Sequence, residues 1–189
     1  MKKVTIQLLI ILLLPAAAGA QALKTGLFVG TRLPFHTESE GAAYRCSGNS
    51  NMDISYQLKY GYRLHVQGGL LYMSSNRRVT PLATDSFADV RLGYVGIPLQ
   101  AGYSFVDRKD LQLRVLGGGC YRIPVMVSPN DLELERHDFS THNAEIFGGL
   151  GCIYGKLALD VLAVQTFTPT LKNTGKDGFT CWLRAGLFF

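Results

Sequence analysis

The chain has 189 residues, of which 17% are charged, 11% are aromatic and 21 are glycine, and its formal net charge at pH 7 is +5. So small an excess of positive charge does not indicate nucleic-acid binding, and this composition favours closely spaced β-strands over helices. Beyond the N-terminal segment, no stretch has the about 18 unbroken apolar residues of a membrane-spanning helix, which excludes a helical membrane protein.

The first twenty residues have the pattern of a secretory signal peptide. A positively charged start, a short apolar run and a small-residue box, Ala18-Gly19-Ala20, follow one another in that order. Cleavage is expected before Gln21, with a cut after Ala22 as the alternative. We therefore predict a signal peptide over 1–20 and a single domain over 21–189. Two of the 19 basic residues leave with the signal, so 17 remain against 14 acidic ones, a net charge of +3.

The mature chain contains eight segments in which apolar residues alternate with polar or small ones, the two-residue period of a β-strand. These predicted strands cover residues 24–33, 52–62, 64–75, 90–105, 111–123, 144–153, 157–168 and 179–189. In the fourth strand the apolar parity changes at Gly96-Ile97-Pro98, which predicts a β-bulge or a bend. Long polar loops alternate with short turns; the loops are 34–51, 76–89, 124–143 and 169–178, and the turns are 63–64, 106–110 and 154–156.

This arrangement predicts an all-β fold, an eight-stranded antiparallel up-and-down transmembrane β-barrel. The last strand has one almost wholly apolar face and ends on Phe189, so it suits closure against the first strand with an aromatic ring at the lipid interface. A soluble lipocalin-like ligand-binding barrel is the alternative, and its apolar parity would have to face inward.

The opposite parity carries charge and is predicted to face the lumen. Its charged members are Lys59, Arg91, Arg114, Arg122, Glu145, Asp160 and Arg184. Glu145 and Asp160 lie on neighbouring strands, and Arg114, Arg122 and Arg184 are candidates to pair with them in a network that fills the lumen. An eight-stranded barrel is just wide enough for side chains to fill, so an open channel is not expected; a proton or ion path is the less favoured interpretation.

Three stretches resemble a known family. They are Val90–Phe105 (with Tyr94, Ile97-Pro98-Leu99 and Gly102-Tyr103-Ser104-Phe105), 68–74, and the terminal Gly186-Leu187-Phe188-Phe189. Together they look like the PorT-like, OmpA-like outer-membrane β-barrel family common in Bacteroidetes. The resemblance implies an outer-membrane location and insertion by the outer-membrane assembly machinery, with Leu187 and Phe189 as the terminal assembly signal. It implies no particular role, although some members belong to secretion systems.

No catalytic motif is recognised, so the leading expectation is a non-enzymatic barrel with a structural or interaction role. The enzyme alternative is a lipid A-modifying hydrolase built on Ser140, His142 and Glu145, although Glu145 has the opposite parity to the other two.

No cofactor or metal site is predicted, because the four cysteines lack zinc-ligand spacing. A Cys46–Cys181 disulfide is left open. The expected contacts are outer-membrane lipid, lipopolysaccharide and a protein partner at the long loops, but no nucleic acid.

Overall fold

The computed structural model describes residues 23–34, 39–40, 44–83, 87–108, 110–172 and 178–189. The predicted signal peptide and its cleavage site lie outside these residues, as do parts of three predicted loops. The described residues form nine strands: β1 Leu23–Pro34, β2 Ser39–Glu40, β3 Tyr44–Gly61, β4 Leu64–Pro81, β5 Ala88–Asp107, β6 Leu111–Val127, β7 Asn143–Tyr154, β8 Leu157–Thr166 and β9 Phe179–Phe188. A short 3-10 turn, Arg136–Asp138, lies between β6 and β7. Within the described residues no helix is both long and apolar enough to cross a bilayer.

Eight of the strands form a closed antiparallel barrel. Each long strand pairs with the next along the chain, and β1 pairs with both β9 and β3, so that Leu27 lies opposite Leu187 on one side and Tyr56 on the other. The two-residue β2 adds only to the outer part of β3. The predicted fold class is therefore confirmed.

The wall of this barrel is apolar outside and polar inside. Along β6, Val115 is 45% exposed whereas its neighbour Arg114 is 0% exposed. The same alternation runs through the other long strands, because successive side chains point to opposite faces of a sheet. Tyrosines and other aromatic residues stand among the exposed aliphatic ones, Tyr60, Tyr103 and Tyr154 near one end. This end carries the short turns and is called the short-turn end below; the opposite one is the loop end.

The strands β3 to β6 are longer than predicted and rise above the rest of the barrel at the loop end. They have 18, 18, 20 and 17 residues, whereas β1 and β7 have 12 and β8 and β9 have 10. Much of the predicted loops 34–51 and 76–89 is therefore strand, and that part of the prediction was wrong. Polar residues on the outer face of this extension hid the strand signal, because with polar residues on that face the apolar–polar alternation is lost.

The prediction at Gly96-Ile97-Pro98 was a bulge or a bend, and no bulge is found there, because the register does not shift on either side of the strand. Pairing between β5 and β6 is continuous through these residues and shifts earlier, between Gly93 and Tyr94. Pairing between β5 and β4 is interrupted at Ile97 and Pro98 and resumes in the same register at Leu99. The inward parity is the same along the whole of β5, so Leu92 and Tyr94 face inward while Arg91 faces outward and is exposed. The apolar residues of β5 change parity because the outward side chains are apolar toward the short turns, whereas at the loop end the inward side chains are apolar.

An apolar cluster lines the inner face of the extension and is roofed by two connecting segments. Its members are Cys46, Met73, Val79, Ala88, Val90, Leu92, Tyr94, Leu134, Phe139 and Leu171. The β6–β7 connection and the residues after β8 supply the roof and are joined by backbone hydrogen bonds, Ser140 N to Thr170 O (3.0 Å) and Lys172 N to Asp138 O (2.9 Å). The loop end of the lumen is thus closed by folded chain rather than left open.

Candidate functional site

The lumen between the roof and the short turns holds a buried polar network. Glu145 is the centre of the part nearer the loop end, which we call the upper cluster. Both carboxylate oxygens of Glu145 accept from the Arg32 guanidinium at 2.7 Å, in a two-pronged pair. Arg122 Nη2 reaches Glu145 Oε2 at 2.6 Å. Because β1 and β7 are not neighbours in the sheet, the Arg32 contact crosses the lumen.

The single tryptophan joins this upper cluster to β3, which lies on the far side of β1 from β9. Its indole Nε1 donates to Asp53 Oδ2 at 2.7 Å, and Arg32 Cζ lies 4.4 Å from the Trp182 ring centroid, within cation–π range. Gly30 makes this arrangement possible, since a Cβ there would lie 2.7 Å from both Trp182 Nε1 and Asp53 Oδ2. The absence of a side chain on β1 therefore leaves room for the hydrogen bond between β9 and β3.

Asp160 is the centre of a second cluster, nearer the short turns. Arg114 Nη2 donates to its Oδ1 and Arg184 Nη2 to its Oδ2, both at 2.8 Å. All three charged groups are fully buried. Gly151 faces this pair, and a Cβ there would lie 2.3 Å from Asp160 Oδ1, so a small residue is needed on β7 as well.

A chain of amides fills the space between the second cluster and β3. Gln100 Nε2 donates to Gln67 Oε1, and Gln67 Nε2 donates to Gln57 Oε1, each at 2.8 Å. Arg184 Nη2 also donates to Gln100 Oε1 at 3.0 Å, which ties the amides to the ionic cluster. Buried polar groups arranged in this way satisfy one another across the barrel and hold the strands in register.

The five residues expected to form the lumen network all face inward, in two groups rather than one. Arg122 accompanies Glu145, whereas Arg114 and Arg184 accompany Asp160. Sequence reasoning left out Arg32 and Asp53, although each has the inward parity of its strand. Parity reveals which face a residue occupies, but it gives no sign of partners that meet across the lumen.

The residues proposed for the hydrolase alternative are not brought together. Glu145 is buried and its oxygens are held by two arginines, whereas His142 is exposed, stacks on Tyr121 and forms a hydrogen bond with its hydroxyl through Nδ1. Ser140 is tied by its backbone to Thr170. A nucleophile, base and orienting acid in mutual contact are therefore not formed by these side chains.

The four cysteines form no disulfide. Cys46 is buried under the roof, opposite Val79, whereas Cys181 lies in β9 opposite Leu33 and Ala163, on the outward parity. The two side chains thus belong to different faces of the wall. Across the described ranges, no group of three or more His, Cys, Asp or Glu side chains is placed to hold a metal ion.

Outside the lumen, an ion pair lies on the outer face of the extension, above the exposed apolar residues that surround the barrel wall, which we call the apolar belt. Arg78 Nε and Nη2 donate to the two oxygens of Asp89 at 3.0 and 3.1 Å. These hydrogen bonds hold the pKa of the Asp89 carboxyl below its ordinary value. Nearby, Arg91 Nε donates to Asn76 Oδ1 at 3.2 Å.

These features define the class of protein: a closed eight-stranded antiparallel β-barrel with an apolar exterior and a lumen filled by ion pairs and amides. No family model matches the sequence, and no curated protein matches it. The membership of the PorT-like, OmpA-like family therefore stays a prediction.

Solved structures do resemble the chain. One is Ail, the attachment invasion locus protein of Yersinia pestis, solved in complex with the heparin analogue sucrose octasulfate; it is 11% identical, with a TM-score of 0.47, over 89% of this chain and 100% of that one. Another is LpxR from Salmonella typhimurium, 9% identical, with a TM-score of 0.41, over 87% and 100%. A third is an outer-membrane channel from Pseudomonas putida F1, 11% identical, with a TM-score of 0.24, over 91% and 97%. Because these TM-scores are below 0.5, the class rests on the strand pairing itself.

Proposed function

We propose that this chain is an outer-membrane β-barrel with a closed lumen, acting as a structural or interaction protein through its loop end rather than as a channel or an enzyme. The observation that carries the proposal is that the barrel wall is apolar outside and polar inside, the reverse of a soluble protein. A soluble protein buries its apolar side chains and keeps unpaired charge in water, whereas here the aliphatic and aromatic residues are exposed and the charged ones are buried.

The height of the apolar surface fits a bilayer. On β6 the outward residues are aliphatic, glycine or tyrosine from Leu111 to Val125. Fourteen steps of about 3.3 Å give about 46 Å along the strand, and a tilt of about 40° reduces this to about 35 Å, which is enough to cover the apolar band of about 25 Å in outer-membrane barrels. Exposed surface of this kind is costly in water and favourable against lipid chains.

The closed lumen supports a role other than transport. Trp182, Arg114 and Lys59 are among the largest fully buried side chains, and they project into the lumen from three different strands. The two ionic clusters and the amide chain tie opposite walls together, and the roof covers the loop end. An eight-stranded barrel filled in this way leaves no continuous aqueous path.

The loop end is the part available to partners. Arg78 and Arg91 are exposed on the outer face of the extension, directly above the apolar belt. Guanidinium groups suit phosphate oxygens, so phosphate groups of lipopolysaccharide are the expected contact at this level. The tip between β4 and β5 exposes Leu82 and Phe87, which suits contact with a protein partner.

The test is a heat-modifiability gel on outer-membrane fractions, comparing boiled with unboiled samples, with and without reductant. A folded barrel is expected in the outer-membrane fraction, with a boiled-sample mobility shift that reductant does not change. Soluble periplasmic material without a shift would refute the membrane assignment. If the shift is present, crosslinking through the loop end then tests the interaction role, and the absence of any crosslinked lipopolysaccharide or protein would count against it.

A further inference from the structure

A set of basic groups lies in the lumen at the short-turn end, beside the cluster around Asp160. Lys59 and His65 face inward from β3 and β4 on either side of the first turn and are only 2% and 1% exposed. Arg114 faces the same region from β6, opposite Ser104 in register. Lys59 Nζ and Arg114 Cζ lie 5.9 and 5.8 Å from the centroid of the same ring, that of Phe188. We call Lys59, His65 and Arg114 the lower basic cluster.

The carboxylates near this cluster do not balance its charge. Asp160 is shared between Arg114 and Arg184, one oxygen to each. Lys59 Nζ donates to an uncharged acceptor, Gln112 Oε1, at 3.3 Å. The other end of that amide donates to Asp107, which is exposed, so Gln112 lies between Asp107 and Lys59. Among the described side chains, Lys59 thus has no carboxylate within hydrogen-bond distance, and a buried charge without a counter-charge costs several kcal/mol by order of magnitude.

The same region presents donors that the described side chains do not use. Among the described residues, Arg114 Nε and Ser104 Oγ are buried donors without a hydrogen-bond partner. The ring of His65 is held in place by close packing, since a Cβ on Gly102 would lie 2.4 Å from its Nε2. Fixed donors that surround an excess of positive charge have the chemistry of an anion site.

We propose that the lower basic cluster binds a small inorganic anion, of the size of chloride, inside the short-turn end of the lumen. The anion is the missing counter-charge of Lys59 and accepts hydrogen bonds from the donors around it. Close packing around the cluster favours a halide-sized ion over a bulkier organic anion. The proposal goes beyond the proposed function, because it concerns the interior and stands whichever membrane holds the barrel.

The first test compares salts at matched ionic strength on the refolded full-length barrel in non-ionic detergent. Unfolding is followed by the loss of the unboiled gel band as temperature rises. Sodium chloride, at a concentration well above the dissociation constant, is expected to raise the midpoint of the wild type by about 5 °C over sodium gluconate. The Lys59→Met variant is expected to unfold at the same temperature in both salts.

Lys156→Met is the matched control, because it removes one lysine from an exposed turn at the same end of the barrel. It should keep the full chloride effect. Equal midpoints for the wild type in chloride and gluconate would overturn the proposal, as would a chloride effect that survives in Lys59→Met.

A second measurement needs no variant and so stands even if Lys59→Met fails to fold. Crystals of the wild-type barrel grown in sodium bromide should show an anomalous peak within hydrogen-bond distance of Lys59 Nζ or the Arg114 guanidinium. A lumen with no bromide peak at this end would show that Lys59 is balanced without an ion and would refute the site.

Discussion

Replacing Glu145 with leucine tests whether the upper cluster stabilises the barrel. The substitution removes a buried carboxylate that makes three contacts of 2.6 to 2.7 Å with Arg32 and Arg122. Two guanidinium groups would then remain buried without their acid. Removing one partner of a buried ion pair costs about 3–5 kcal/mol, and since two cations are left here, we expect a loss in the upper half of that range.

The assay is equilibrium unfolding of the refolded barrel in urea with detergent, followed by the fluorescence of the single tryptophan. Glu145→Gln should lose less than Glu145→Leu, because one amide oxygen can still accept from an arginine. The matched control is Asp131→Leu, which removes an exposed acidic residue from the roof connection. It should change the free energy of unfolding by no more than about 0.5 kcal/mol.

A triple variant separates two effects: the loss of the ion pairs with Glu145, and the cost of leaving the Arg32 and Arg122 charges buried without a carboxylate. When Arg32 and Arg122 are both replaced by methionine together with Glu145→Leu, much of the lost stability should return, since apolar replacement of a whole buried ion set is often neutral. A loss below about 1 kcal/mol for Glu145→Leu alone would refute the reasoning, because it would mean that the arginines are well solvated without their carboxylate.

Two further substitutions follow from the geometry of the wall. Gly118→Ala should reduce the folded band sharply, because the new Cβ would lie 2.2 Å from the backbone oxygen of Leu99, whereas Gly117→Ala, with its nearest atom at 4.0 Å, should fold normally; equal yields on unboiled gels would contradict this. On the outer face, Asp89 has a depressed pKa in the folded state, so its contribution is present above the ordinary carboxyl pKa and is lost as pH falls through the depressed value. Carbon-13 NMR titration should show the Asp89 pKa rising in Arg78→Gln, and an unchanged titration would argue against the pair.

The sequence predicted the strands of the second half of the chain well because both faces of those strands are distinctive. In β6 to β9, exposed aliphatic and aromatic residues occupy one parity and every charged residue occupies the other, so the charges identify the inner face although it also holds apolar residues such as Leu116, Phe147 and Leu162. The start of β5 misled the same reasoning. Under the roof the inner face is apolar, and Leu92 and Tyr94 look like outward residues although they pack beneath the connecting segments.

The pairing inside the lumen was less predictable for a different reason. Neighbouring strands can be inferred from their order along the chain, and this places Asp160 of β8 beside Arg184 of β9. The partners Arg32 and Glu145 are 113 residues apart in sequence, and their strands, β1 and β7, are not paired with each other in the sheet. Such a contact depends on the diameter of the barrel and on side-chain length, and neither leaves a periodic signal in the sequence.

The cross-lumen contacts have a consequence for the order of events during folding. The bond from Trp182 to Asp53 joins β9 to β3, and the pair between Arg32 and Glu145 joins β1 to β7, so both span the seam at which β1 meets β9. Neither can form in an intermediate whose seam is open. Interactions absent from the transition state for folding govern the unfolding rate rather than the folding rate. We therefore expect the upper cluster to contribute little to the folding rate of the barrel and to slow its unfolding.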